Sequence, residues 1–379
     1  PPPRATAHGV QSGGSLVDAP LSFSADGKYV LCPAGSAVKL FSAETGALLR
    51  VLDAHSARVT AVAAGGPNRL QALSTGLDGL ILLWDVDEAK VLRAFCLGQP
   101  IVDLALHPTL STTVFVLTAP GETGGCAPTP TYAKGLAFPG RAYSVSLRVT
   151  KRSTKRAREL AARAADPGDG EAVFGNLERP WPVDPRLLFR AKAHALAVAS
   201  CGEPTPLVAA VSGAWLTVHD MGDGATGLFR QRRERRAALQ CVALSPSERL
   251  AATADEFGRI HLWRLDRLTT RDAAARQATG AGAGEGPARE MHWHAQALAA
   301  LTFSPDGALV LSAGREGVLV FWQTHAAERA FLPRLGAPIL GMTCAATLWP
   351  RHFPCAPPLR TACSRLLPPP LQRPPQHIA

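Results

Sequence analysis

His55, Ser74 and Asp78 are the residue types of a hydrolase's base, nucleophile and orienting acid. In such a site the imidazole takes the hydroxyl proton while the carboxylate holds the ring in place. The same order returns downstream as His294, Ser312 and Glu316, and each set is followed by a tryptophan, Trp84 or Trp322. A triad occurs once in an enzyme, whereas a set that repeats with its tryptophan is architectural. A buried indole N–H, hydroxyl and imidazole each need a partner, and these four side chains can satisfy one another. They are read as structural tetrads, and no catalytic residue is assigned.

Metal chemistry has two candidate places. His292-Trp293-His294 would put two imidazoles on one face of a strand, but no third ligand lies nearby and His294 already serves a tetrad. Cys344, His352, Cys355 and Cys363 are close in sequence, yet their gaps match no common zinc spacing. No metal and no cofactor is expected. The eight cysteines include no CxxC pair, which favours a reducing compartment over a disulfide framework.

The remaining chemistry is charge. Forty Lys and Arg against thirty Asp and Glu leave a net +10, a soft argument for a polyanionic partner. Arg141, Arg148, Lys151, Arg152, Lys155, Arg156, Arg158 and Arg163 form one basic stretch, read as an insertion between the third and fourth repeat units. Its Arg156–Ala165 part has the composition of a short helix. Arg230, Arg232, Arg233, Arg235 and Arg236 form a second run before the fifth unit. Either can neutralise phosphates or meet an acidic protein, or remain a solvated loop, and the first could also serve as a nuclear import signal. Neither contains interleaved aromatics, so stacking on bases is not expected of them.

The elements that must position these residues are short strands. Thirty-four glycines and thirty-two prolines favour strands and turns over long helices. The clearest unit runs from His55 through Val59–Ala63, Leu73–Gly76, the Asp78-Gly79 turn and Leu80–Leu83 to Trp84-Asp85. Alternating apolar strands joined by Asp-Gly turns are hairpin signals. Similar units lie at residues 21–42, 239–263 and 294–322, and weaker ones at Ile101–Leu117 with Ala142–Val149 and at Ala195–His219. In the 239–263 unit Phe257 stands where the acid is expected, so its polar chain should be broken.

This spacing resembles a WD repeat, whose blade is a four-stranded sheet. The fold class is therefore all-β, a WD-repeat propeller of the seven-bladed type. Its last blade should begin at Pro338-Ile339-Leu340 and stay incomplete, because alternation stops after Ala345 and leaves an open edge beside the sixth blade. Three regions are expected. Residues 1–20 hold a closing strand at Val10-Gln11, 21–345 form the propeller with a poorly ordered basic insertion at about 120–190, and 346–379 are a Pro/Arg-rich disordered tail. That tail looks unrelated to the blades. No apolar run approaches the ~20 residues of a membrane span.

Several stretches exceed the generic repeat: Gly13-Gly14-Ser15, Phe23-Ser24-Ala25-Asp26, Gly314-Arg315-Glu316, and above all His292-Trp293-His294 and Phe331-Leu332-Pro333-Arg334-Leu335-Gly336. The last is expected to be an inter-blade connection. Together they resemble the first propeller of the WD repeat-containing protein 75 family, over residues 10–342. The resemblance implies a non-enzymatic scaffold of ribosome biogenesis in the nucleus and nucleolus. It would be a small-subunit processome component for pre-18S rRNA processing, with a further role supporting rRNA transcription. Implied partners are other processome WD-repeat proteins and pre-rRNA or small nucleolar RNA, with no membrane and no small-molecule substrate.

Two other classes compete. A ubiquitin-ligase substrate receptor often carries an Arg two residues after Trp-Asp, but Trp84-Asp85-Val86-Asp87 and Trp263-Arg264-Leu265-Asp266 lack it. A propeller hydrolase would need clustered carboxylates or a nucleophile motif, and neither is present. Fold alone would not decide, since one fold hosts many functions.

Overall fold

The alternating apolar runs become strands wherever an Asp-Gly or equivalent turn separates them. The computed structural model describes residues 19–65, 70–107, 110, 112–119, 121–122, 137–138, 141–147, 181–183, 185–190, 195–199, 201, 205–221, 228–232, 237–265, 287–332 and 338–344. Blade one is β1 (Ser22–Phe23), β2 (Tyr29–Ala34), β3 (Ala37–Ser42) and β4 (Leu48–Asp53). Blade two is β5 (Val59–Ala64), β6 (Gln71–Gly76), β7 (Leu80–Asp85) and β8 (Lys90–Cys96).

Blade three opens with β9 (Ile101–Leu106) and β10 (Thr113–Thr118). A small hairpin follows, β11 (Gly121–Glu122) with β12 (Ala137–Phe138), and then the third strand, β13 (Arg141–Ser146). The short β14 (Trp181–Pro182) adds in parallel to β8 of blade two before β15 (Arg186–Arg190) completes blade three. Residues 147–185 therefore connect the third and fourth strands of one blade. This corrects the expectation that the basic stretch separates blades three and four.

Blade four is β16 (Ala195–Ala199), β17 (Leu207–Ser212), β18 (Trp215–Asp220) and β19 (Leu228–Arg232). Blade five is β20 (Leu239–Leu244), β21 (Leu250–Asp255), β22 (Arg259–Arg264) and β23 (Arg289–His292). Blade six is β24 (Leu298–Phe303), β25 (Leu309–Gly314), β26 (Leu319–Gln323) and β27 (Arg329–Leu332). Phe331 is thus part of an outermost strand, not of an inter-blade connection.

Core packing lies between blades, because each sheet is apolar on both faces. Leu31, Leu40 and Leu52 of blade one meet Val59, Leu82 and Trp84 of blade two. Leu73 and Ile81 meet Val114 and Tyr143 at the next junction, and Phe115 and Leu117 then meet Val208 and Ala210. Val211 and Val218 meet Val242 and Trp263, and Ile260 and Met291 meet Val310 and Trp322. A fully buried side chain of this size contributes about 1.5–3 kcal/mol, so the junctions carry most of the fold's stability.

Polar bonds add register to this packing. Thr60 Oγ1 donates to Ile101 O at 2.8 Å, and Leu239 N donates to Gly213 O at 2.8 Å. Gly79, at φ 74°, lets its turn approach the next loop, since a Cβ there would lie 2.9 Å from Gln99 O.

After blade six, residues 338–344 run without an assigned strand. Ile339 N donates to Gly314 O at 3.2 Å, and Ile339, Met342 and Cys344 pack on Leu311, Phe321 and Leu332. Gly341 also sits beside Ala19 O and Leu21 of blade one. The segment covers the far face of blade six without adding a strand there. The expected closing strand at Val10-Gln11, the Arg156–Ala165 helix and the 346–379 tail lie outside the described residues. Among the described residues no helix is long and apolar enough to cross a membrane.

Candidate functional site

Blade two places its quartet by ordinary strand logic. Ser74 and Trp84 lie on neighbouring strands β6 and β7, Asp78 occupies the turn between them, and His55 sits in the loop entering the blade. Trp84 Nε1 donates to Ser74 Oγ at 2.7 Å. Ser74 Oγ lies 2.7 Å from His55 Nε2, and His55 Nδ1 lies 2.8 Å from Asp78 Oδ2. With the proton of a neutral ring on Nδ1, every link is satisfied: indole to hydroxyl, hydroxyl to imidazole, imidazole to carboxylate. Asp78 also accepts Ser56 N at 3.1 Å and Leu80 N at 3.1 Å, tying the loop to the turn.

The serine–histidine–aspartate half of this chain is wired as in a hydrolase triad, so burial decides its role. Ser74 is 0% exposed and its oxygen already accepts the indole proton. No substrate carbonyl can reach it, and the quartet holds a loop against two strands.

Blade six repeats the arrangement with a longer acid. Trp322 Nε1 donates to Ser312 Oγ at 2.9 Å, which lies 2.9 Å from His294 Nε2. His294 Nδ1 lies 3.2 Å from Glu316 Oε2, while Glu316 Oε1 accepts Ala295 N and Gln296 N at 2.6 and 2.8 Å. The extra methylene moves both oxygens onto the loop, whereas Asp78 keeps one for its own turn. Burial lowers the pKa of His294, partly opposed by Glu316, so the ring stays neutral as the chain requires.

Blade five keeps only the end of the network. Trp263 Nε1 donates to Thr253 Oγ1 at 2.8 Å, and Phe257 at the acid's position is 57% exposed. The acid that sequence reasoning missed is Asp255, two residues earlier and fully buried, whose Oδ1 accepts Phe257 N and Arg259 N at 2.9 Å each. Its only signal was an Asp at a strand's end before Glu-Phe-Gly.

The His292–His294 place does not assemble. His292 is exposed while His294 is buried in its tetrad, and among the described residues no group of three or more His, Cys, Asp or Glu could hold an ion. Cys344 is described, with its thiol pushed up to about 11 by burial, whereas His352, Cys355 and Cys363 lie outside the described residues.

Of the basic candidates, Arg230 and Arg232 fall on β19, the outermost strand of blade four, paired through the backbone with Thr217 and Trp215. Lys151, Arg152, Lys155, Arg156, Arg158, Arg233, Arg235 and Arg236 lie outside the described residues.

Comparison with known proteins places the fold. The profile of the WD repeat-containing protein 75 first beta-propeller matches residues 22–125 and 195–348, which leaves out the first basic stretch. The Xenopus laevis WD repeat-containing protein 75 is 28% identical over 344 residues, covering 87% of this chain and 34% of that protein. A 52-residue stretch is 50% identical to U3 small nucleolar RNA-associated protein 17 of Schizosaccharomyces pombe, covering 14% of this chain and 6% of that protein. Among solved structures, the Cps50 (Swd1) beta-propeller domain of Myceliophteria thermophila superposes with a TM-score of 0.56 at 14% identity, covering 87% and 89% of the two chains. That likeness is one of fold alone. The chain spans about a third of the length of the curated full-length relatives it matches.

Proposed function

The chain belongs to the WD repeat-containing protein 75 family, as its first propeller, and from that premise we propose that it is a non-enzymatic binding scaffold of ribosome biogenesis. The observation that carries the reading is the family match, which covers blades one, two, four, five and six whole, the first two strands of blade three and the 338–344 segment. The geometry supports it, because the two sets that resemble catalytic triads are consumed in holding loops to strands. The short, strong match to a protein named for its association with U3 small nucleolar RNA supports a place in the nucleolus. Within that reading the chain is a small-subunit processome component, acting on the precursor of 18S rRNA beside other WD-repeat proteins. The net charge of +10 supports contact with pre-rRNA or small nucleolar RNA, with the runs at 151–158 and 230–236 as phosphate-contacting segments.

Affinity purification of the tagged chain from nuclear extract, followed by sequencing of bound RNA and mass spectrometry, tests it. Enrichment of small nucleolar RNA, precursor rRNA and other WD-repeat proteins is expected. Recovery of ubiquitin-ligase adaptors without nucleolar RNA would replace this reading with the substrate-receptor one.

A further inference from the structure

The two stretches that the propeller repeat does not demand, His292-Trp293-His294 and the one that begins at Phe331-Leu332, meet in space through Trp293 and Phe331. Trp293 leaves the outermost strand of blade five and Phe331 lies on the outermost strand of blade six, with ring centroids 5.7 Å apart and planes at 25°. Trp293 packs against the core between these blades, but Phe331 belongs to neither core cluster of blade six and is 55% exposed. Its ring completes a stack on Trp293 while more than half of the residue stays open to water.

Cations flank this pair on the same seam. Arg329 shares a strand face with Phe331, two residues along, and its guanidinium lies 6.0 Å over the Trp322 ring. Arg289 reaches across from blade five and donates to Gln323 O at 3.1 Å. Among the described residues neither guanidinium has a carboxylate partner. An acidic peptide would use the two charges and leave the ring face unused, whereas a nucleotide uses both its phosphate and its base.

We propose that the outer seam between blades five and six binds single-stranded RNA, with a base on the open face of Phe331 and phosphates beside Arg329 and Arg289. The inference rests on the nucleic-acid part of the function proposed above and gives it a site other than the basic runs.

Fluorescence anisotropy of the full chain with a short fluorescein-labelled oligoadenylate RNA tests it, alongside a glutamate-rich peptide as a second probe. Phe331→Ala should weaken RNA binding about fivefold or more, the loss of roughly 1 kcal/mol of stacking, while Phe331→Tyr stays within about twofold. Arg329→Gln, at an exposed position, should reduce the slope of log affinity against log salt by about 0.7. RNA affinity unchanged in both Phe331→Ala and Arg329→Gln would overturn the site. So would a wild-type chain that binds the peptide and not the RNA. A chain whose affinity falls only when Lys151, Arg152, Lys155 and Arg156 are changed to Gln would move RNA contact to the basic runs, overturning the seam while leaving the scaffold reading intact. Recovery of processome partners by affinity purification is independent of all these outcomes.

Discussion

Asp103, on the innermost strand of blade three, accepts the backbone N–H of Leu196 on the innermost strand of blade four at 2.9 Å. A carboxylate thus joins two sheets, and its other oxygen accepts Leu104 N at 2.8 Å. Burial outweighs these bonds and raises the Asp103 pKa to about 6. A carboxyl raised in the folded state binds its proton more tightly there than in the unfolded chain. Its stabilising contribution is therefore complete below about pH 4 and is lost as pH rises through about 6.

Asp103→Asn removes the charge and keeps one acceptor. At pH 7 the relief of roughly 2–3 kcal/mol exceeds the roughly 1 kcal/mol of a lost hydrogen bond, so the variant should be more stable by about 1–2 kcal/mol. At pH 4 the sign should reverse, because no charge remains to relieve. Urea unfolding at the two pH values measures both, and a variant less stable than wild type at pH 7 would show that the bonds outweigh burial.

Trp84 fills the junction between blades one and two and donates to Ser74. Trp84→Ala should cost about 3–5 kcal/mol through the cavity and the unpaired hydroxyl. Trp84→Phe keeps most of the volume and loses the N–H, so it should cost less than half as much. Equal losses in thermal melts of the two variants would assign the whole effect to the hydrogen bond.

The tetrads and most blades could be read from the sequence because they carry local marks: alternation, an Asp-Gly turn in blades one, two and six, and a tryptophan near the end of the third strand in blades two, five and six. Blade three could be read only in its first three strands. Its last strand, Arg186–Arg190, follows a long connection and carries neither a Trp-Asp end nor a turn signal, so the insertion was placed one boundary too late. The parallel pairing of Trp181 with Phe95 has no local mark either. Asp255 was hidden because the repeat pattern directs attention to position 257, whereas the backbone groups of the turn can be reached from the strand's end. The contact of Trp293 with Phe331 depends on two blades packing side by side, which periodicity within one blade does not encode.

Restoring the repeat's acid in blade five tests that account. Phe257→Asp should change stability by no more than about 0.5 kcal/mol, because Asp255 already accepts the Phe257 and Arg259 N–H groups. No histidine stands at the loop position to receive the new carboxylate. A gain above about 1 kcal/mol in chemical denaturation, comparable to a net buried hydrogen bond, would mean that the acid at 257 finds a partner of its own.

The last prediction concerns residues 338–344, the segment between the sixth and first blades. Ile339, Met342 and Cys344 cover Leu311, Phe321 and Leu332, all of them under a tenth exposed, and Gly341 lies beside Ala19 and Leu21. Removing the segment should uncover one whole apolar sheet face and withdraw the Ile339 N–H from Gly314 O. Exposed apolar faces of this kind drive association. A chain ending at residue 337 should therefore elute from size exclusion as oligomers and melt well below the full chain. One ending at 345 should behave as a monomer and melt within a few degrees of the full chain. If both truncations instead lose the monomer equally, closure depends on residues beyond 345; if neither does, the contacts of 338–344 contribute little and blade six is stable with that face bare.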